Sequence, residues 1–159
     1  MPKRRMPEEK MIPERENDPY RNRAKLQDPT VCPDCGATWR DGRWSWANGP
    51  ADAPRVVCPA CQRTRDRYPA GILTLRGDFL AQHRDEILAL ARNVEEREKN
   101  EHPMNRIMAV EEDGGATVVT TTDMHLARAI GSAVHAAYKG EIDYTYADDP
   151  QMLRVTWER

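Results

Sequence analysis

Four cysteines are the residues of this chain best suited to chemistry, and they stand as two pairs, Cys32-Pro33-Asp34-Cys35 and Cys58-Pro59-Ala60-Cys61. A Cys-x-x-Cys turn aims two sulfurs at one point. Each pair opens Cys-Pro, where the ring presets φ, and Gly36 suits the tight reversal after the first pair. Two such turns supply the four thiolates of a closed, tetrahedral Zn2+ site in which the metal is structural. The 22 residues between the pairs leave room for a hairpin and a return segment. Two other readings compete: a pair of redox-active dithiols, or two disulfides. A redox dithiol ordinarily opens a helix behind a buried strand, a context that the sequence indicates for neither pair.

The remaining candidates for catalysis are weak. His83, His102, His125 and His135 do not converge by any local spacing, and each reads as a surface or boundary histidine. Glu111-Glu112-Asp113 and Asp148-Asp149 lie in turns, where acidic residues are expected. Thr120-Thr121-Thr122 precedes a helix and can seat an anion, although capping alone explains it. Four cysteines saturate zinc and leave no open position on the metal. The expectation is a protein that is not an enzyme and takes no small-molecule substrate.

Basic residues flank the cysteines. Trp39, Trp44 and Trp46 stand beside Arg40 and Arg43, and Arg63, Arg65 and Arg67 alternate after the second pair. Indoles beside guanidiniums stack bases and meet phosphates, and these arginines are candidate RNA contacts. The competing reading has the tryptophans covering the metal as the core of a small ribbon, and the arginines as a solvated turn. Charge limits the RNA reading. Residues 1–80 hold 15 Lys/Arg against 11 Asp/Glu, and residues 81–159 hold 9 against 15. Four thiolates on Zn2+ reduce the basic excess of the first half further. Such a balance permits a local basic patch and excludes non-specific coating of nucleic acid.

These groups need elements to position them. Residues 1–29 carry five prolines, mixed charge and few large apolar groups, and read as a disordered tail with Lys3, Arg4, Arg5, Arg21, Arg23 and Lys25 available to phosphates. Residues 30–77 read as the zinc ribbon and its exit strand. Asp41-Gly42 turns a hairpin, Val56-Val57 forms a short return strand, and residues 70–77 form the exit. Residues 78–104 read as a helix and linker: Asp78 can cap it, and Leu80, Arg84, Ile87, Ala91 and Val94 recur at helical spacing. Residues 105–159 read as a β-β-α-β-β module with an antiparallel sheet. Its helix, capped by Thr122 or Asp123, carries Leu126, Ile130 and Val134 on one face, and its last two strands turn at Asp148-Asp149-Pro150. The fold class is therefore α+β: a four-cysteine ribbon, a long helix and a small sheet module. Hydrophobic residues at 39 % favour small modules over one continuous core. No apolar run reaches membrane-span length, and no hydrophobic stretch follows Met1-Pro2-Lys3-Arg4-Arg5. Paired thiols without such a signal point to the cytoplasm.

Two stretches carry a resemblance. Cys58-Pro59-Ala60-Cys61 and Arg63, followed by Tyr68-Pro69-Ala70-Gly71-Ile72-Leu73-Thr74-Leu75-Arg76-Gly77, resemble the zinc-ribbon exit of the large-ribosomal-subunit export adaptors, the "NMD-three" family. Thr120-Thr121-Thr122-Asp123-Met124-His125-Leu126-Ala127-Arg128 is similar to the α+β segment that follows it there. The layout of residues 17–159 also resembles a bacterial group of short zinc-ribbon proteins of unknown function. The resemblance implies contact with rRNA and ribosomal proteins, with Cys32, Cys35, Cys58 and Cys61 as the zinc set, and it adds Arg76 of the exit strand to the candidate RNA contacts. The family's N-terminal part carries more cysteine pairs, and its larger members continue into further domains and export signals. Export is therefore not implied. The alternative is a zinc-stabilised adaptor that binds proteins without RNA.

Overall fold

A computed structural model describes residue 20, residues 26–148 and residues 151–159. The basic tail residues named above and the Asp149-Pro150 part of the last turn lie outside the described residues. The chain builds β1 (Thr30–Val31), β2 (Thr38–Arg40), β3 (Arg43–Ser45), α1 (Pro59–Asp66), β4 (Gly71–Arg76) and α2 (Asp78–Glu101). Then follow β5 (Ile107–Asp113), β6 (Ala116–Thr121), α3 (Met124–Tyr138), β7 (Glu141–Asp148) and β8 (Gln151–Glu158).

The small sheet has the order β1-β2-β3. Its hairpin is the expected one: Asp41 and Gly42 take φ of 54° and 80°, the positive values a two-residue turn demands, so Arg40 pairs with Arg43 and Trp39 with Trp44. Two features differ from expectation. The third strand is β1, ahead of the first cysteine pair, and Val56-Val57 forms no strand. That segment makes a single bridge between Arg55 and Val31, and Val56 stays exposed. The second cysteine turn and most of the basic stretch 62–68 after it, one reading of which is a solvated turn, form α1 instead, with Cys58 as N-cap and Pro59 at its first position. Proline is preorganised there because the first-turn N–H has no intrahelical partner to lose.

The large sheet has the order β5-β6-β4-β8-β7 and is mixed. β4 pairs antiparallel with β6 and parallel with β8. The elements of the second half are those expected, but their grouping is corrected by β4. That strand is no exit from the ribbon; it is the centre of a sheet that is otherwise built from residues 107–158. Residues 78–101 are likewise no linker, since Leu80, Ile87, Ala91 and Val94 of α2 are buried in the sheet's own core. The physical reason is burial. Leu73 and Leu75 are fully buried and need helices over them, and both edges of β4 need a ladder partner.

One core follows, running from Ala70 to Trp157, with α2 and α3 contributing to the same cluster. Strands β4 and β8 show the alternation that a half-covered sheet requires: Leu73, Leu75, Leu153, Val155 and Trp157 point to the helices, while Ile72, Thr74, Met152 and Thr156 point away. Trp157 is anchored by its indole N–H, which donates to Lys139 O at 2.6 Å. Asp123, one of the two expected caps, accepts from the backbone N–H groups of His125 and Leu126 and starts α3. Asp78 does not cap α2; Gly77 holds that position without a side-chain bond. At φ 108°, Gly77 lies where an added Cβ would stand 2.3 Å from Arg159 O. Only glycine lets the end of β4 approach the chain's last residue so closely. Among the described residues no helix is long and apolar enough to cross a membrane.

Helix α3 lies directly on β4 at Gly71, where an added Cβ would meet Thr121 Oγ1 at 2.4 Å and Ala127 Cβ at 2.5 Å. Gly71→Ala therefore forces helix and sheet apart. Urea unfolding of the variant is expected to show a loss of about 1–3 kcal/mol, the usual cost of overpacking. Unchanged stability would mean that α3 is not seated on β4 at this point.

Candidate metal centre

Both cysteine pairs reach one point. Cys32 and Cys35 bracket the turn between β1 and β2, and Cys58 and Cys61 stand at the N-cap and first turn of α1. All four sulfurs lie within 4.8 Å of one another and none is in a disulfide. Sulfurs bound tetrahedrally at about 2.3 Å from Zn2+ are about 3.8 Å apart, and Cys35 and Cys58 stand 3.8 Å apart. Cys32, Cys58 and Cys61 are buried, and Cys35 is half-buried. This group can hold a metal ion, and soft thiolate donors in fourfold, closed array suit Zn2+. The second pair does open a helix, which the sequence did not indicate. Convergence of all four sulfurs, rather than of two, separates the centre from an isolated redox dithiol.

The surrounding N–H groups are set for thiolates. Cys58 N–H donates to Cys32 Sγ at 3.3 Å, Ala37 N–H to Cys35 Sγ at 3.4 Å and Cys61 N–H to Cys58 Sγ at 3.4 Å. The Cys35 thiol is held down to about 4 by its contact with Cys58, by the Ala37 amide and by the Arg106 guanidinium. Cys58 is pushed up by the neighbouring Cys35 sulfur and by burial. Ligation requires each sulfur as a thiolate, so metal loading must displace whatever protons the cluster holds.

Arg106 was not singled out in the sequence. It stands just ahead of β5, in the other half of the chain, and reaches back over the cysteines. Its Nη1 donates to Cys61 Sγ at 3.1 Å, and its Nη2 donates to Cys35 Sγ at 3.1 Å and to Cys58 Sγ at 3.7 Å. No local spacing announces this contact, because it joins residues 45 to 71 positions apart.

The tryptophans divide. Trp44 packs on the cysteine cluster, as the ribbon-core reading expects, and meets Trp39 edge-on at 5.8 Å. Trp46 is the exposed one of the three, with its indole N–H donating to Lys99 O at 2.7 Å at the end of α2. The candidate RNA contacts do not form one face. Arg40 is half-buried and Arg43 exposed, facing each other at the hairpin tip. Arg65 is exposed but pairs with Asp34 at 2.6 Å. Arg67 is exposed at the left-handed C-cap of α1, and Arg76 is exposed at the far end of β4. Arg63 is only 4 % exposed: its guanidinium donates to Tyr68 O at 3.0 Å and stacks on Tyr20 at 4.4 Å. The helical turn of α1, not foreseen, rotates it inward, and it is a structural group rather than a phosphate contact. Tyr20 in turn donates to Asp66 at 2.8 Å, and burial and that bond push its hydroxyl up to about 12.

The histidines remain dispersed. His83 stacks on Phe79 at 4.1 Å, and His135 lies in the last turn of α3. His102 and His125 line one cleft with Trp39 and Trp44, a proximity that their sequence positions do not reveal.

Comparison with protein-family models, with curated proteins and with solved structures returned no match. The likeness to export adaptors therefore rests on the short sequence stretches alone.

The sheet core contains none of the cysteines. Cys58→Ser is expected to abolish stoichiometric metal uptake and to remove hydrogen-exchange protection from residues 30–66, since structural zinc supplies about 10 kcal/mol or more of folding energy. Protection across residues 71–157 should persist. Loss of protection throughout the chain would show that the sheet cannot stand without the ribbon.

Proposed function

We propose that the chain is a non-enzymatic zinc-ribbon protein that binds structured RNA, in the cytoplasm and on the large ribosomal subunit. Zinc, held by Cys32, Cys35, Cys58 and Cys61, shapes the ribbon and takes no part in a reaction. The observation that carries the reading is the hairpin tip. Arg40 and Arg43 are directly paired across β2 and β3, with Asp41 and Gly42 exposed between them and the edge-on Trp39–Trp44 pair on the other face of the hairpin. A hairpin tip that carries two guanidiniums side by side can meet phosphates. Ribosomal proteins and rRNA enter as partners through the family resemblance.

A second reading is a protein-interaction adaptor. It is favoured by the sheet face opposite the helices, where Ile72, Val118 and Met152 are half-buried and no helix lies over them among the described residues. Edge strands β5 and β7 are acidic, which disfavours phosphate and favours a basic protein partner.

Binding to a fluorescent rRNA stem-loop across a salt series separates the two. Arg40→Glu/Arg43→Glu is expected to weaken association at least tenfold and to reduce the salt slope by about two, one for each phosphate that no longer meets a guanidinium. Zinc content should not change. Wild-type binding that ignores salt, or a double variant that binds like the wild type, would remove the RNA reading and leave the adaptor.

A further inference from the structure

We propose that Arg106 is a clamp over the metal centre that sets how slowly the ion leaves and how slowly the sulfurs react with electrophiles. The inference rests on the reading that the four cysteines hold zinc. Four thiolates on Zn2+ carry a net charge of −2, and in a half-buried site that charge has little water to spread into. Arg106 supplies one compensating positive charge and three N–H···S contacts from a single planar group, at 3.1 Å to Cys61, 3.1 Å to Cys35 and 3.7 Å to Cys58. A lysine cannot reproduce that fork.

The guanidinium is held in place from outside the ribbon. Its Nε donates to Pro103 O at 2.8 Å, and the residue's backbone N–H donates to Thr122 Oγ1 at 2.9 Å. The Arg106 carbonyl accepts from Thr122 N–H at 2.9 Å. The Trp46 ring lies 5.6 Å from the guanidinium on the ribbon side. The clamp is therefore preorganised by the sheet and sheltered by the ribbon.

Its action is uneven across the four sulfurs. A donated hydrogen bond draws charge from a thiolate and lowers both its basicity and its nucleophilicity. Cys61, Cys35 and Cys58 receive this from Arg106. Cys32 has its donor in the Cys58 backbone N–H instead. Metal dissociation begins when a ligand sulfur is protonated or alkylated, so the clamp guards the side of the centre where Cys35 and Cys61 lie.

The test uses the full zinc-loaded chain and its Arg106→Ala and Arg106→Lys variants. Zinc release to a chromogenic chelator is timed, and the order of alkylation by iodoacetamide is mapped by mass spectrometry. Arg106→Ala is expected to release zinc about 10 to 100 times faster, if the 10- to 100-fold loss of affinity that follows removal of a metal ligand's partner is carried by the off-rate. Arg106→Lys should fall between it and the wild type. Cys61 and Cys35 should become the first sites alkylated, ahead of Cys32. The Co2+-loaded proteins should keep the thiolate charge-transfer bands of a four-sulfur site, which shows that ligation itself is intact. If Arg106→Ala does not fold, Arg106→Lys decides by the same two readouts. Variants that load one metal yet match the wild type in release rate and alkylation order would overturn the clamp. A wild-type chain that takes up no zinc would overturn the metal reading beneath it.

Discussion

Four sulfurs packed within 4.8 Å repel one another once ionised, and every feature around them answers that repulsion. Backbone N–H groups of Ala37, Cys58 and Cys61 supply part of the answer from within the two turns. A divalent ion held by the four sulfurs would supply most of it, because it offsets two of the four charges and suits sulfurs at tetrahedral spacing. The remaining charge is met from across the molecule by Arg106. The ribbon has little else: among the described residues its own buried cluster is Ala60 and the cysteines, with Trp44, Val57 and Met104 against them. A sheet of three strands, the longest three residues, cannot offset its chain entropy by apolar burial alone.

That dependence explains how the two halves are joined. Among the described residues no continuous apolar core links ribbon and sheet; the two buried clusters are separate. Beside Met104, which packs against the cysteine cluster, the links are polar and specific: Arg106 to the sulfurs and Trp46 to Lys99 O. The chain itself adds a third, passing from α1 to β4 through Tyr68, Pro69 and Ala70, with Ala70 N–H donating to Thr121 O at 2.9 Å and Ala70 O accepting from Leu153 N–H. Links of this kind set orientation more than stability, since each is worth about 1 kcal/mol when exposed and more only where water is excluded.

Legibility in the sequence followed the range of each interaction. The cysteine turns, the Asp41-Gly42 hairpin and α3 with its Asp123 cap were readable because their signals lie within a few residues. α1 escaped because its eight residues span barely two turns and Arg63, Arg65 and Arg67 mask its apolar side. β1 escaped because two residues make no pattern. The place of β4 could not be read from its own alternation, which is equally that of an edge or a centre strand; only its partners, Thr117 to Thr121 on one side and Leu153 to Glu158 on the other, decide. Arg106 carried no signal, since a clamp built across the fold leaves no spacing in the chain.

The central position of β4 also orders events in time. Its two ladder partners, β6 and β8, both come later in the chain. During synthesis Leu73 and Leu75 leave the exit tunnel with both flanks unpaired; one flank can pair once β6 has followed, and the other waits for β8. The ribbon's strands and cysteines all lie within residues 30–66, so it can close long before. A closed ribbon thus precedes an unfinished sheet. Pairing over long sequence separation raises the contact order of the sheet, and by topology alone the slower pairing falls in the half of the molecule that holds none of the four cysteines.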